Sequence, residues 1–129
     1  MHPLTAEWVA KAEADFATAR RESRIRIMPN YDAACFYAQQ CVEKYLKALL
    51  QEAGNVIPHT HDLIALLNLI EPPYADLTAL LGELSLLSAF GVAVRYPGAN
   101  ADRAMARQAV AHARAVRAIV RQHLGLTAA

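Results

Sequence analysis

The stretch from Tyr31 to Ala53 has helical spacing and almost no polar side to offer solvent. On a helix, Ala34, Ala38, Cys41, Tyr45 and Ala48 make one apolar seam. Val42, Leu46 and Leu49 widen it beyond the roughly 100° arc of an ordinary amphipathic helix. Gln40, Glu43, Lys44, Lys47 and Gln51 form the narrow polar remainder. Such a helix has to be central, and its small residues let another helix approach closely, from the same chain or from a second copy. Glu43 and Lys47 are spaced as an i,i+4 ion pair, which contributes only about 0.2–0.5 kcal/mol on a helix surface.

Helix-stopping residues on either side divide the rest of the chain. A first helix is expected from about Thr5, acting as N-cap, to Arg24, with Pro29-Asn30 closing the connection to the second, which ends at Gly54. Pro58 and Thr60 mark a loop before a third helix, about His61 to Ile70, where Thr60 caps and Asp62 favours the positive end. Pro72-Pro73 ends it, and a fourth helix runs from about Tyr74 to Val94. Pro97 removes a backbone donor and pushes Tyr96 out of the helical region, leaving Arg95 at a helix end beside a loop. Asn100 or Asp102 caps a fifth helix, about Ala101 to Leu124, which Gly125 stops. No strand pattern or internal repeat is present, and the short connections predict an all-α, up-and-down bundle of about five antiparallel helices.

At 129 residues the chain fits one domain, 1–129, able to bury a core without staples. Its apolar share of 55% exceeds the usual 45–50% or so, so part of the surplus is assigned to a subunit interface. Cys35 and Cys41 stand roughly 9 Å apart in helical rise, too far for a disulfide that needs Cα atoms within about 7 Å. They read as small core residues. The N-terminus has no signal-peptide pattern, and the apolar run Leu84 to Val94 is too short and too interrupted to span a bilayer. A soluble cytoplasmic protein with no membrane partner is expected.

The net charge of +1 conceals a gradient: residues 1–30 carry five Lys/Arg against four Asp/Glu, residues 31–92 two against seven, and residues 93–129 six against one. On the fifth helix Arg103, Arg107, Arg114, Arg117 and Arg121 fall within roughly 40° of one line. Met105, Ala109, Val116 and Ile119 are placed opposite as its core face. Such a stripe is either solvated surface or a ridge for phosphates or an acidic partner, and arginine's fork suits phosphate and carboxylate.

In their order, Trp8 in an acidic first helix, the run Ala34 to Leu50 containing Gln39-Gln40-Cys41-Val42-Glu43-Lys44-Tyr45-Leu46-Lys47-Ala48-Leu49-Leu50, then His59-Thr60-His61-Asp62-Leu63, then Arg95-Tyr96-Pro97-Gly98 resemble the prokaryotic HEPN domain family over about residues 5–122. The resemblance implies a helical bundle that pairs into a homodimer. It also implies a minimal nucleotidyltransferase as a frequent partner, in toxin–antitoxin type pairs. Many members are metal-independent ribonucleases whose signature is Arg, four to six residues, then His: the histidine moves a proton and the arginine steadies the charged phosphorane. Others bind nucleotides without cleaving.

This chain departs from the nuclease signature, because Ala99 to Asp102 include no histidine. Arg107 with His112 and Arg117 with His123 match the spacing, yet within a helix those pairs point roughly 140° and 120° apart. His112 and His123 read instead as core or interface histidines. His59 and His61, in the loop entering the third helix, are the candidates to replace the missing histidine, with His61 the displaced base that would reach the Arg95 loop, and His59-x-His61 lacks the further ligands of a metal site. No cofactor is expected.

The reading that follows is a homodimeric HEPN-like interaction module that binds nucleotide or RNA phosphate and associates with a nucleotidyltransferase. The residues assigned to phosphate are Arg95, Tyr96, Arg103, Arg107, Lys44 and Lys47. Its rivals are a ribonuclease toxin using Arg95 and His61 as catalytic residues, and a plain dimerisation module.

Overall fold

Asp102, one of the two expected caps, starts the last helix with its carboxylate accepting from Met105 N at 2.8 Å. The computed structural model describes residues 1–93 and 96–127. Their helices are α1 (Pro3–Arg24), α2 (Tyr31–Glu52), α3 (Leu63–Asn68), α4 (Ala75–Thr78), α5 (Leu81–Ala93) and α6 (Arg103–His123), with no strand among the described residues. Asn30 caps α2 through Ala33 N, and Gly54 and Gly125, both at positive φ, follow the ends of α2 and α6.

Three boundaries differ from expectation. The cap of α1 is His2, whose Nδ1 accepts from Leu4 N, because Pro3 already has a backbone suited to the first turn; Thr5 is fully buried inside the helix. The cap of α3 is Asp62, which accepts from Ile64 N and Ala65 N, while the Thr60 hydroxyl accepts from Asp62 N one step upstream. The expected fourth helix is two, α4 and α5, separated by a turn at Ala79 and Leu80. The physical reason is that the pieces pack in different places: His123 of α6 stacks on Tyr74 and bonds Asp76, fixing α4 to the end of α6, whereas α5 packs on α2 and α3.

Cross-helix contacts set the directions. α1 runs antiparallel to α2, since His2 N donates to Glu52, the Lys44 ammonium bonds Asp15, and Asn30 N donates to Glu22. α2 and α6 run parallel, with Ala101 N donating to Asp32 near their starts and Arg121 reaching Tyr45 farther along. They form the packed diagonal of the bundle, with α1 and α5 on either side. Closeness is possible because Ala34, Ala38, Cys41 and Ala48 of the α2 seam meet a bundle interior to which α6 adds Ala106, Ala109 and Ala113, all fully buried. α1 adds Val9, Ala12, Phe16 and Ala19, α3 adds Leu63 and Leu66, and α5 adds Leu84 and Leu87.

The buried side of α6 is Ala106, Ala109, Val110, Ala113, Val116 and Val120. Its centre lies roughly 90° from the arginine line rather than opposite it. Met105 and Ile119, placed at the core by the sequence, sit at its edge and are only partly buried. Cys35 and Cys41 are free and fully buried; burial drives both thiols upward, Cys35 to about 11. Among the described residues no helix is long and apolar enough to cross a membrane.

Candidate functional site

Because the core face is rotated toward it, the arginine line of α6 divides between two environments. Arg117 and Arg121 turn inward over α1. Arg117 Nε and Nη2 donate to the two Glu13 oxygens at 2.7 Å each, and Arg121 Nη1 donates to Tyr45 Oη at 3.3 Å. Tyr45 Oη donates in turn to Glu13. Burial alone would raise the Glu13 carboxyl, but the hydrogen bonds of Arg117 and Tyr45 and the two guanidinium charges hold it below its ordinary value. Burial is the first reason, and the hydrogen bond to Glu13 the second, that the Tyr45 hydroxyl is pushed well above the usual tyrosine range.

The other three arginines stay outside. Arg103, Arg107 and Arg114 are exposed, and Arg114 lies 5.8 Å over the Phe16 ring, which holds its guanidinium in place. Arg107 and Arg114 line a groove of about 240 Å³ together with Val110 and, from the end of α1, Ser23 and Arg24. The antiparallel crossing of α1 and α6 creates it by bringing the C-terminal turn of one against the first half of the other. Among the described residues none of Arg24, Arg107 and Arg114 forms an ion pair with a carboxylate. Three arginine side chains lining one small concavity suit a group with several anionic oxygens.

Arg24 was not singled out by the sequence, although Arg20, Arg21, Arg24 and Arg26 crowd the end of α1 and were a visible sign.

The lysines assigned to phosphate have internal partners. Lys44 is bound to Asp15, and Lys47 is 6% exposed, 3.2 Å from Glu43 and over the Trp8 ring. Glu43, 3% exposed, is the centre of a network that the i,i+4 spacing alone does not reveal. Its Oε1 lies 2.8 Å from His61 Nδ1, and the Gln39 amide donates to Glu43 Oε1 and to the His61 carbonyl. The His61 side chain is 69% exposed, so a buried carboxylate orients an imidazole whose Nε2 faces outward. A hydrogen bond of this kind fixes the tautomer of a histidine and its orientation.

Tyr96 is exposed, and Gly98 takes a positive φ that suits glycine in the turn after it. Val94 and Arg95 lie outside the described residues, and with them the expected meeting of Arg95 with His61. His59 is exposed, and the described residues hold no cluster of three or more potential metal ligands. Arg117 and His123 take different partners, Arg117 turning to Glu13 and His123 to Tyr74 and Asp76, while Arg107 lines the groove and the half-buried His112 keeps its Nε2 enclosed.

Comparison with known proteins agrees with this geometry at the level of fold and family. A family model described as HEPN domain matches residues 5–123. The structure is similar to that of TT1696 from Thermus thermophilus, with 24% identity, a TM-score of 0.77, and 92% of this chain and 96% of that chain covered. It is also similar to ST0689, an archaeal HEPN homologue, with 26% identity, a TM-score of 0.74 and coverage of 93% and 97%. No curated protein matches the chain.

Proposed function

We propose, from the starting point that this chain belongs to the HEPN domain family, that it is a binding module for the phosphates of a nucleotide or RNA. The observation that carries this reading is the groove between α1 and α6, where Arg24, Arg107 and Arg114 converge with no carboxylate to neutralise them. Arg103 extends the same exposed line of α6. Lys44 and Lys47 have no part in it, and Arg95 and Tyr96 form a second phosphate contact at the loop before α6.

The module works as a homodimer that associates with a minimal nucleotidyltransferase in a toxin–antitoxin type pair. Support for pairing comes from α5. It is predominantly apolar, with Glu83 its one charged residue, a pattern that ordinarily means burial, yet Leu81, Gly82, Ser85, Leu86 and Ala89 are exposed in the single chain. A second copy covers that face. Support for the nucleotidyltransferase is the family resemblance, and co-purification of the two proteins from a host whose adjacent gene encodes one is its test.

The phosphate reading is tested by affinity for a labelled RNA against salt concentration. A groove that contacts phosphates gives a steep negative slope, reduced in Arg107→Ala; a flat response would favour plain dimerisation. A second reading, a ribonuclease with His61 as base and Arg95 as charge stabiliser, is favoured by the orienting contact from Glu43 to His61. Purified protein incubated with total RNA discriminates the two. Cleavage abolished by Arg95→Ala and by His61→Ala would replace the binding module with the nuclease.

A further inference from the structure

Arg24 of the groove is followed in the chain by a loop whose composition is unusual for an exposed surface. Arg24 is the last residue of α1, and Ile25, Ile27 and Met28 follow it with relative exposures of 43%, 80% and 90%. The loop is held at both ends: Ile25 N donates to Arg21 O, and Asn30 N donates to the Glu22 carboxylate at 3.2 Å. Between those anchors Met28 adopts φ +52, a conformation that non-glycine residues seldom take. Arg20, Arg21 and Arg26, near it in sequence, are exposed. An exposed apolar tip one to four residues beyond Arg24 of the groove matches a ligand that carries anionic and apolar surface side by side.

From this juxtaposition we infer that the ligand of the groove is a single-stranded polynucleotide, with backbone phosphates at Arg24, Arg107 and Arg114 and unpaired bases against Ile27 and Met28. The inference rests on the phosphate reading of the groove. A mononucleotide or inorganic phosphate would fill the guanidinium cluster and leave the tip unused. A duplex keeps its bases stacked and their faces covered, whereas a single strand offers a base face beside every phosphate. Both side chains are aliphatic, so they press on base faces without reading hydrogen-bonding edges, and the contact is tolerant of sequence. An acidic protein surface is a weaker match, because a carboxylate presents two oxygens to one fork while three forks converge here.

The test uses fluorescence anisotropy with end-labelled oligonucleotides of about twelve nucleotides, within the span of known single-strand sites. It compares single-stranded RNA, the DNA of the same sequence, the blunt RNA duplex, and inorganic polyphosphate as competitor. The loop variant Ile27→Ser/Met28→Ser alters only exposed side chains, so it keeps the fold, which far-ultraviolet circular dichroism verifies. It is expected to weaken single-strand binding about threefold or more, somewhat less than the loss of an aromatic stacking contact. Duplex binding and polyphosphate competition should stay unchanged. Arg107→Ala/Arg114→Ala is expected to weaken all of them.

If the arginine variant weakens binding and the loop variant does not, the single-strand inference fails while the phosphate reading stands. If the arginine variant changes nothing, the phosphate reading fails and the inference with it. Retention of the wild-type protein on phosphatidylserine vesicles, lost in the loop variant, would assign the loop to a lipid surface and overturn the inference.

Discussion

Glu13 accepts both hydrogen bonds of the Arg117 fork at 2.7 Å, joining α1 to the second half of α6 where the sequence had placed an outward-facing arginine. The pair is part of the bundle's wall, with Tyr45 and Arg121 as its inner neighbours. Its consequence is a pH-dependent share of stability.

The folded state holds the Glu13 carboxyl below its ordinary value, so the stabilisation is complete above the unfolded carboxylate pKa of about 4.3 and is lost as pH falls through the folded value. Glu13→Gln is expected to cost about 1–3 kcal/mol at neutral pH. In urea unfolding the gap between wild type and variant should shrink in strongly acidic buffer. A gap of the same size at both pH values would show that shape rather than charge is what Glu13 supplies.

Glu43→Ala is expected to be far more damaging than a surface substitution. It leaves the Lys47 ammonium, 6% exposed, without its carboxylate, a loss of about 3–5 kcal/mol for a broken buried pair. Glu43→Leu combined with Lys47→Leu should recover much of that loss, because no charge is then stranded. Thermal unfolding of the two variants side by side checks the order.

Both thiols should be silent toward a disulfide exchange reagent at mildly alkaline pH. Cys35 and Cys41 are fully enclosed, and burial, aided by nearby carboxylates, keeps them protonated. Rapid modification of either in the native protein would mean that the α2 seam opens; in denaturant both should react at once.

Leu86→Arg should convert a dimer to a monomer in sedimentation velocity with no loss of helical signal, since Leu86 is 46% exposed in the single chain. An unchanged sedimentation coefficient would place the subunit contact elsewhere than on α5.

How much of this was legible in the sequence depends on whether a residue's role is local. The central position of α2 was readable from its seam, and the stops at Asn30, Gly54 and Gly125 from their turn chemistry. The break at Ala79 and Leu80 was not, because it arises from where α4 and α5 dock, and no glycine or proline marks it. The wheel of α6 grouped five arginines correctly, but a wheel has no knowledge of which direction the neighbours lie. Glu13 on α1 decided that Arg117 and Arg121 turn inward. Similarly, Lys47 sat on the polar strip of α2, and only the approach of His61 and Trp8 shows that this strip is covered. The groove joins residues from the two ends of the chain, Arg24 and Arg107, a meeting that antiparallel packing produces and spacing along one helix cannot express.

The parallel pairing of α2 with α6 also imposes an order on synthesis. During translation α1 and α2 can zip together as soon as both have left the ribosome, since their contacts form a simple hairpin. Helix α2 packs on α6 as well as on α1, however, so part of its apolar surface is covered only after α6 has emerged. A nascent chain stalled before Arg103 therefore carries a bare apolar strip along its central helix, a binding site for chaperones and for other nascent copies. The interval before α6 is delivered is thus the one in which the nascent chain exposes most of that surface.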